Sequence, residues 1–327
     1  MDINAAFDKL QQNVNASPEA VTEARRRRDL FRGTFGSEDD VEETVPSGSF
    51  ARGSQNDPIN DVDIIVVYDE TEHEGWGTPG PSAEEALTHV QDRVKALLGV
   101  SEGSVSKEVR LTRVQNHSVK CWLDDPDAKL AFTVDVTPAL RVDEETLLIP
   151  EKNSSCWIQT APEHLNRVIA ERHTDWNKFV GQVRVVKRWG ADQQTEMKSL
   201  LLEVLALHHL PKETRSKALA RFFAAGASAV LSPVEDPAGL CGEIQPDLDR
   251  DAAARHFTKA SEAAWRAVEA EDRGETDRAA CLWRSIFGDI FPEPPGGCSN
   301  GNGAKAVGGA AASVHRRPIR DAPQGGQ

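Results

Sequence analysis

Two aspartates follow a glycine–serine turn and open a very apolar segment of the chain. Ser49 precedes Asp61 by twelve residues, and Asp61 and Asp63 flank a valine at the start of a strand predicted over 62–68. Alternate residues of a strand point to the same side, so the two carboxylates share a face. Gly48 lets the backbone approach phosphate oxygens closely, and the Ser49 hydroxyl adds a donor. The pattern indicates carboxylates that hold magnesium beside a loop that holds phosphates.

A third carboxylate, Asp135, lies in the alternating run 130–136. An aspartate in so apolar a strand is costly to bury unless something compensates its charge, and a metal ion would do so. In two-metal chemistry, Asp61 and Asp63 would hold two Mg²⁺ ions, with Mn²⁺ as a substitute. Asp135 would hold the ion next to an attacking ribose hydroxyl and could also accept its proton. The plainer interpretation is a Gly-Ser turn beside a solvated acidic strand end.

A second group of residues lies beyond position 180. Lys187 follows Val183 by four residues, which places it on or beside the buried stripe of its helix. Ser199 opens the next helix, where free N–H groups and the helix dipole favour phosphate. We therefore predict that Gly48, Ser49, Lys187 and Ser199 bind a triphosphate. A snorkelling lysine and a helix-capping serine are the alternatives.

Regular elements that would position these residues can be predicted from periodicity. A helix is expected over 18–35 with Ser17 as its N-cap, and an amphipathic helix over about 83–98. Two alternating runs around 119–123 and 130–136 are joined by a Pro-Asp turn and predict a hairpin. From about 160 onward the apolar residues recur at helical spacing. The fold class is therefore α+β, two-lobed, with a mixed β-sheet and a helical C-terminal lobe.

The length of 327 residues suits two domains rather than one. We expect a nucleotidyltransferase catalytic domain with N-terminal helices at 1–158 and a helical substrate-binding domain at 159–295. A disordered Gly/Ala-rich tail is expected at 296–327.

Composition narrows the environment and the partners. The net charge of −14 disfavours binding to a nucleic-acid backbone, so direct DNA binding is not expected. The basic run 25–28 reads more simply as a solvated helix face paired with Glu23 and Asp29. Five cysteines without a Cys-x-x-Cys spacing argue against a zinc site or a disulfide framework. Reduced thiols, the lack of a signal peptide and the lack of a long apolar stretch predict a cytoplasmic protein without a membrane anchor.

Together the motifs resemble the CD-NTase family, the bacterial relatives of cyclic GMP-AMP synthase and oligoadenylate synthase in the polymerase-β-like nucleotidyltransferase superfamily. The matching segments are Gly48–Ser54, Asp61-x-Asp63, Val134–Ala139, Lys187–Trp189, Lys198-Ser199-x-x-x-Glu203 and the Trp283–Pro292 element. The resemblance implies synthesis of a cyclic di- or trinucleotide second messenger from ATP and/or GTP with release of pyrophosphate. It also implies a role in CBASS anti-phage defence, with a product-activated effector protein. A CBASS accessory protein acting on the C-terminal tail is a further expected partner.

Two other functions remain open at this point. One is a template-independent nucleotidyltransferase that adds nucleotides to RNA or to a protein. The other is an inactive nucleotide-binding signalling module on the same fold. The sequence leaves undetermined the bases of the product, the 2′–5′ or 3′–5′ linkage and the ring size.

Overall fold

The computed structural model describes residues 2–99 and 108–298, which fold into two compact units. The sheet unit contains the described residues 16–99, 108–175 and 235–246. The helical unit contains the described residues 2–15, 176–234 and 247–298. The linear domain division at 158 and 295 stays a prediction, and residues 299–327 of the expected tail lie outside the described residues.

A mixed sheet forms the centre of the sheet unit, as the fold class predicts. In the described residues its main path runs β1-β2-β5-β4-β3, and β6 and β7 extend it from β5. β2 and β5 are parallel, whereas the other pairs are antiparallel. The strands are β1 (Val41–Ser47), β2 (Asp61–Tyr68), β3 (Leu111–Val114), β4 (Val119–Trp122), β5 (Thr133–Arg141), β6 (Leu147–Glu151) and β7 (Cys156–Thr160).

Helices cover one face of this sheet. The sheet unit carries α2 (Pro18–Phe35), α3 (Gly48–Ala51), α4 (Ser82–Leu97) and α5 (Pro162–Asp175). Apolar residues of α2 and α4 pack in one cluster with Val62, Ile64 and Val66 of β2 and with Val134 and Val136 of β5. The even-numbered residues of β2 therefore face the helices, and the odd-numbered residues, among them Asp61 and Asp63, lie on the opposite face.

The predicted elements of the sheet unit are confirmed. The helix at 18–35 begins after Ser17, whose side chain accepts from the amide of Ala20. The strand at 62–68 and the helix at 83–98 correspond to β2 and α4 within one residue. The predicted hairpin is the antiparallel pair β4–β5, with Val119 opposite Val136. Its second strand, predicted over 130–136, begins at Thr133 and continues to Arg141.

The basic run at the centre of α2 is a paired helix face. Arg26 and Arg27 both contact the carboxylate of Glu23, at 2.9 and 2.7 Å, and Arg28 contacts Asp29 at 2.8 Å. Arg27 also reaches Asp124 at 2.9 Å. These contacts agree with the simpler of the two interpretations.

The helical unit is an all-α assembly that includes the first helix of the chain. Its helices are α1 (Ile3–Val14), α6 (Phe179–Ala191), α7 (Ser199–His209), α8 (Arg215–Ala229), α9 (Arg250–Asp272) and α10 (Thr276–Phe287). The ring of Phe7 makes edge contacts with Trp283 and Phe291, at centroid distances of 5.1 and 5.3 Å. Aromatic packing of this kind explains why α1 belongs with the chain's last helix and not with α2.

The cysteines require a correction. Cys281 in α10 and Cys298 form a disulfide bond, although the spacing of the five cysteines argued against disulfides. The turn Gly288–Ile290 sends the chain back along α10, so that two residues with no motif spacing meet. Cys121, Cys156 and Cys241 are free thiols. No helix in the described ranges is long and apolar enough to cross a membrane.

Candidate active site

Asp61 and Asp63 lie at the beginning of β2, where the strand leaves the core. Both are partly exposed, whereas Val62 and Ile64 are fully buried. The strand forms here because its β-branched residues fill the layer between the sheet and α2 and α4. The two carboxylates are thus held on one face by the strand's period of two, as predicted.

Asp135 joins the same face from the neighbouring strand. β5 runs parallel to β2 in a register that places Asp63 opposite Asp135 and Asp61 opposite Thr133. Adjacent strands lie about 4.8 Å apart, and paired residues point to the same side of the sheet. Asp135 is 4% exposed. The structure therefore brings the three predicted carboxylates together on one sheet surface.

Gly48 lies directly against Asp63. β1 ends at Ser47, which pairs with Asp63, and the short helix α3 begins at Gly48 with a φ of 72°. A Cβ atom at position 48 would lie 1.8 Å from Oδ2 of Asp63. Glycine is required at position 48 for two reasons. The backbone has a positive φ, and the carboxylate of Asp63 occupies the space that a side chain would fill.

Ser49 is the second residue of the same turn. The amide of Ser54 donates to the carbonyl of Ser49 at 3.0 Å and closes the turn after α3. The Gly-Ser turn and the acidic strand, separated by twelve residues in sequence, are neighbours in the fold.

Lys120 also lies in the candidate site, although it was not among the residues predicted from the sequence. It lies opposite Asp135 in the β4–β5 ladder, and its Nζ donates to Oδ2 of Asp135 at 3.1 Å. The predicted hairpin already gave an indication of this contact. Lys120 lies on the strand face opposite to Val119 and Cys121, and this is the face to which Asp135 points. The lysine partly offsets the charge that a buried carboxylate carries among other carboxylates.

Lys187 and Ser199 lie in the helical unit. Lys187 is 2% exposed, so its side chain is directed inward as predicted. Ser199 is the first residue of α7, and its buried Oγ makes no hydrogen bond within the described part of the chain. α6 and α7 approach closely, since a Cβ at Gly190 would lie 2.1 Å from Cδ1 of Leu202. A buried hydroxyl at the start of a helix is a suitable ligand for an anion.

The donor set on the sheet face fits a hard divalent cation. Three carboxylates offer the oxygen ligands that Mg²⁺ prefers, and one of them is already beside a cation in Lys120. A second positive charge on this face would offset the remaining carboxylate charge.

Comparisons with known proteins agree with this arrangement. A family model described as the Second Messenger Oligonucleotide or Dinucleotide Synthetase (SMODS) domain matches residues 1–172. A relative from Bacillus cereus strain VD146, described as a probable cyclic nucleotide synthase, is 24% identical. That alignment covers 88% of this chain and 97% of the relative.

Solved structures share the fold. CdnC of E. coli MS115-1, solved with ATP, superposes with a TM-score of 0.68 at 17% identity and covers 88% of this chain and 98% of its own. The same protein has been solved as a CdnC:HORMA-deltaN complex. CdnG of Bradyrhizobium diazoefficiens, a CD-NTase solved with GTP, gives a TM-score of 0.65 at 14% identity, with coverage of 89% and 97%. The chain belongs to the Second Messenger Oligonucleotide or Dinucleotide Synthetase family, and it shares the fold of the solved CD-NTase structures.

Proposed function

We propose that this chain joins ATP and/or GTP into a cyclic di- or trinucleotide in a reaction that depends on divalent metal ions and releases pyrophosphate. The observation that carries the proposal is the register of β2 and β5, which puts Asp63 opposite Asp135 beside Gly48. A solvated acidic strand end needs neither this pairing nor a glycine packed against one of the carboxylates.

Asp61, Asp63 and Asp135 are the residues that would hold the metal ions, Mg²⁺ or Mn²⁺. Bound ions would mask the charge of the triphosphate and lower the pKa of the attacking ribose hydroxyl. Asp135 is the proposed acceptor of the proton from that hydroxyl. Lys120 donates to Asp135, so it orients this carboxylate.

Four residues are proposed to bind the donor triphosphate. Gly48 presents a backbone without a side chain beside the carboxylates, and Ser49 adds a hydroxyl. Lys187 supplies a buried positive charge, and Ser199 supplies a buried hydroxyl at the start of α7. Burial of a polar group is costly unless the group gains a hydrogen-bond partner. Because the buried Ser199 hydroxyl has no such partner within the described residues, we infer that its partner is a bound ligand.

The proposed biological role is CBASS anti-phage defence, which is typical of the family. The cyclic product would activate a separate effector protein. The HORMA complex of E. coli CdnC supports the proposal that an accessory protein binds this enzyme also. The proposed action of such a protein on the C-terminal tail concerns residues outside the described part of the chain.

Incubation with each labelled nucleoside triphosphate, alone and in pairs, tests the proposal. Phosphatase treatment follows, and the resistant products are identified by mass. The proposal predicts phosphatase-resistant label from ATP and/or GTP in Mg²⁺ or Mn²⁺ and none in excess EDTA. Equal product yield in EDTA would contradict the metal requirement, and phosphatase-sensitive oligomers alone would contradict ring closure.

A further inference from the structure

A group of three metal-ligating side chains lies at the other end of the β1–β2 hairpin. Asp40 directly precedes β1, His73 lies in the loop after β2, and His89 lies in α4. We call these three residues the distal cluster. β1 and β2 pair from Ser47–Asp63 at one end to Val41–Tyr68 at the other. Tyr68 is five positions after Asp63 in the strand, so the distal cluster lies about 17 Å from the carboxylate face.

The three side chains converge on one point. Nε2 of His73 lies 3.0 Å from Oδ2 of Asp40, and Nε2 of His89 lies 3.7 Å from the same oxygen. One ligand atom from each of the three residues lies within 4.8 Å of the others. In a tetrahedral zinc site with bonds of about 2 Å, neighbouring ligand atoms are about 3.3 Å apart. The observed distances lie on either side of that value.

Three buried polar atoms at this place make no hydrogen bond within the described residues. They are Oδ1 of Asp40, Nε2 of His89 and the hydroxyl of Tyr68. Tyr68 is 1% exposed, and its ring contacts both histidines, at centroid distances of 5.0 and 5.4 Å. Burial and the charge of Asp40 raise the pKa of its phenol. Unsatisfied buried polar atoms are costly, and three together indicate a missing bridging partner.

The surroundings favour the neutral form of His89 and orient the ring of His73. Burial, followed by the nearby charges of Arg93 and His73, lowers the pKa of His89, and neutral imidazole is the ligating form. Trp76 stacks on His73 at a centroid distance of 4.0 Å and fixes its ring. Arg93 contacts Asp40 at 2.9 Å and also pairs with Glu38, so it retains a carboxylate partner when Asp40 binds an ion.

We propose that Asp40, His73 and His89 bind a transition-metal ion of the zinc class, at a site separate from the carboxylate face. Two imidazole nitrogens and one carboxylate suit Zn²⁺, whereas Mg²⁺ prefers oxygen ligands alone. A water molecule would complete the coordination. Cysteine spacing carries no information about a zinc site that is built without cysteine. The ion ties the loop at 69–81 and α4 to the hairpin that carries Gly48 and Asp63.

Metal binding to the full-length, tag-free protein tests the proposal. The protein is stripped with EDTA, dialysed against Zn²⁺ and then against metal-free buffer, and the retained zinc is measured by mass spectrometry. A Co²⁺ titration followed by visible absorption reports coordination geometry independently. The proposal predicts one retained zinc per chain, a four-coordinate Co²⁺ spectrum and a zinc-dependent rise in melting temperature that EDTA reverses.

Four variants assign the ion to the distal cluster. His73→Gln and His89→Gln should each weaken zinc binding at least tenfold, on the scale of metal-site substitutions. His173→Gln, on an exposed position of α5, and the double variant Asp61→Asn/Asp63→Asn should retain the zinc. A wild-type protein that retains no zinc and gives only a six-coordinate Co²⁺ spectrum would overturn the proposal. Zinc retained equally by wild type and His89→Gln would also overturn it. If a histidine variant fails to fold, the Co²⁺ spectrum of the wild-type protein alone decides whether the proposal holds.

Discussion

Asp63 lies directly opposite Asp135 in the parallel ladder between β2 and β5. Two carboxylates on adjacent strands of one sheet face repel each other, and burial strengthens the repulsion. Lys120 supplies one compensating positive charge through its 3.1 Å contact with Asp135. The arrangement is therefore suited to gain a further cation, which is the physical basis for the proposed metal dependence.

Gly48→Ala should abolish activity, because its Cβ would lie 1.8 Å from Oδ2 of Asp63. Gly239→Ala is the matched control, since Gly239 has a φ of 70° and a Cβ added there would meet no atom within 4 Å. Both substitutions should lower the free energy of unfolding by about 1–2 kcal/mol, because alanine is strained in the left-handed backbone conformation. Melting temperatures of both variants report the backbone strain that they share. Product formation, lost only in Gly48→Ala, reports the displacement of Asp63. Full activity in Gly48→Ala would show that Asp63 need not hold its observed position.

Lys120→Met should lower the stability of the metal-free protein by about 1–3 kcal/mol, because Asp135 loses a charged hydrogen-bond partner. The same variant should bind Mn²⁺ more tightly, since a competing cation is removed. Thermal melts with and without Mn²⁺ measure both effects. Lys152→Met, which breaks a more exposed ion pair with Glu84, is the control and should change little. A metal-induced stabilisation of Lys120→Met no larger than that of wild type would argue against Asp135 as a metal ligand.

Ser199→Ala should leave stability unchanged or slightly higher, because the buried Oγ makes no hydrogen bond in the described residues. It should raise KM for the donor nucleotide about tenfold, the scale of one hydrogen bond to a charged group. Steady-state kinetics and thermal melts on one preparation check both expectations. Ser228→Ala, whose exposed hydroxyl caps its own helix turn, is the control with unchanged KM. An unchanged KM together with lost stability would assign Ser199 a structural role.

Stability should fall as the pH decreases below about 6.5, the ordinary pKa of histidine. Burial lowers the pKa of His117, whose Nδ1 lies 2.9 Å from the carbonyl oxygen of Pro150. The unfolded chain then binds a proton that the folded chain does not, so the free energy of unfolding decreases as pH falls through this window. Melting temperatures between pH 7.5 and 5.5 should decline less in His117→Asn than in wild type. His173→Asn, at an exposed position, should follow wild type, and parallel curves for all three proteins would contradict the assignment.

The three carboxylates of the candidate site could be predicted because each lies in a strand whose period of two is visible in the sequence. The faces on which Asp61, Asp63 and Asp135 lie could be predicted from the alternation within their own segments. The register that pairs Asp63 with Asp135 is known only from the structure. Lys120 was within reach, since the hairpin that contains it was predicted. The role of Lys120 depends on which residue of β5 lies opposite to it. That pairing follows from the strand register, which is set by the whole sheet and not by the local sequence.

Other features could not be predicted from local pattern. β1 contains Glu42, Glu43 and Pro46, so it lacks the apolar alternation of a buried strand and forms as an edge strand paired to β2. The distal cluster unites residues from a turn, a loop and a helix with no common motif. The Cys281–Cys298 bond depends on a reversal of the chain after α10.

Product formation by Asp63→Asn tests the central claim most directly. Wild type, Asp63→Asn and Glu70→Gln, an exposed carboxylate just after β2, are incubated with labelled ATP and GTP in Mg²⁺ or Mn²⁺. We predict phosphatase-resistant cyclic product from wild type and Glu70→Gln, and at least about a hundredfold less from Asp63→Asn at equal folded concentration. Cyclic product at the wild-type rate from folded Asp63→Asn would contradict the account.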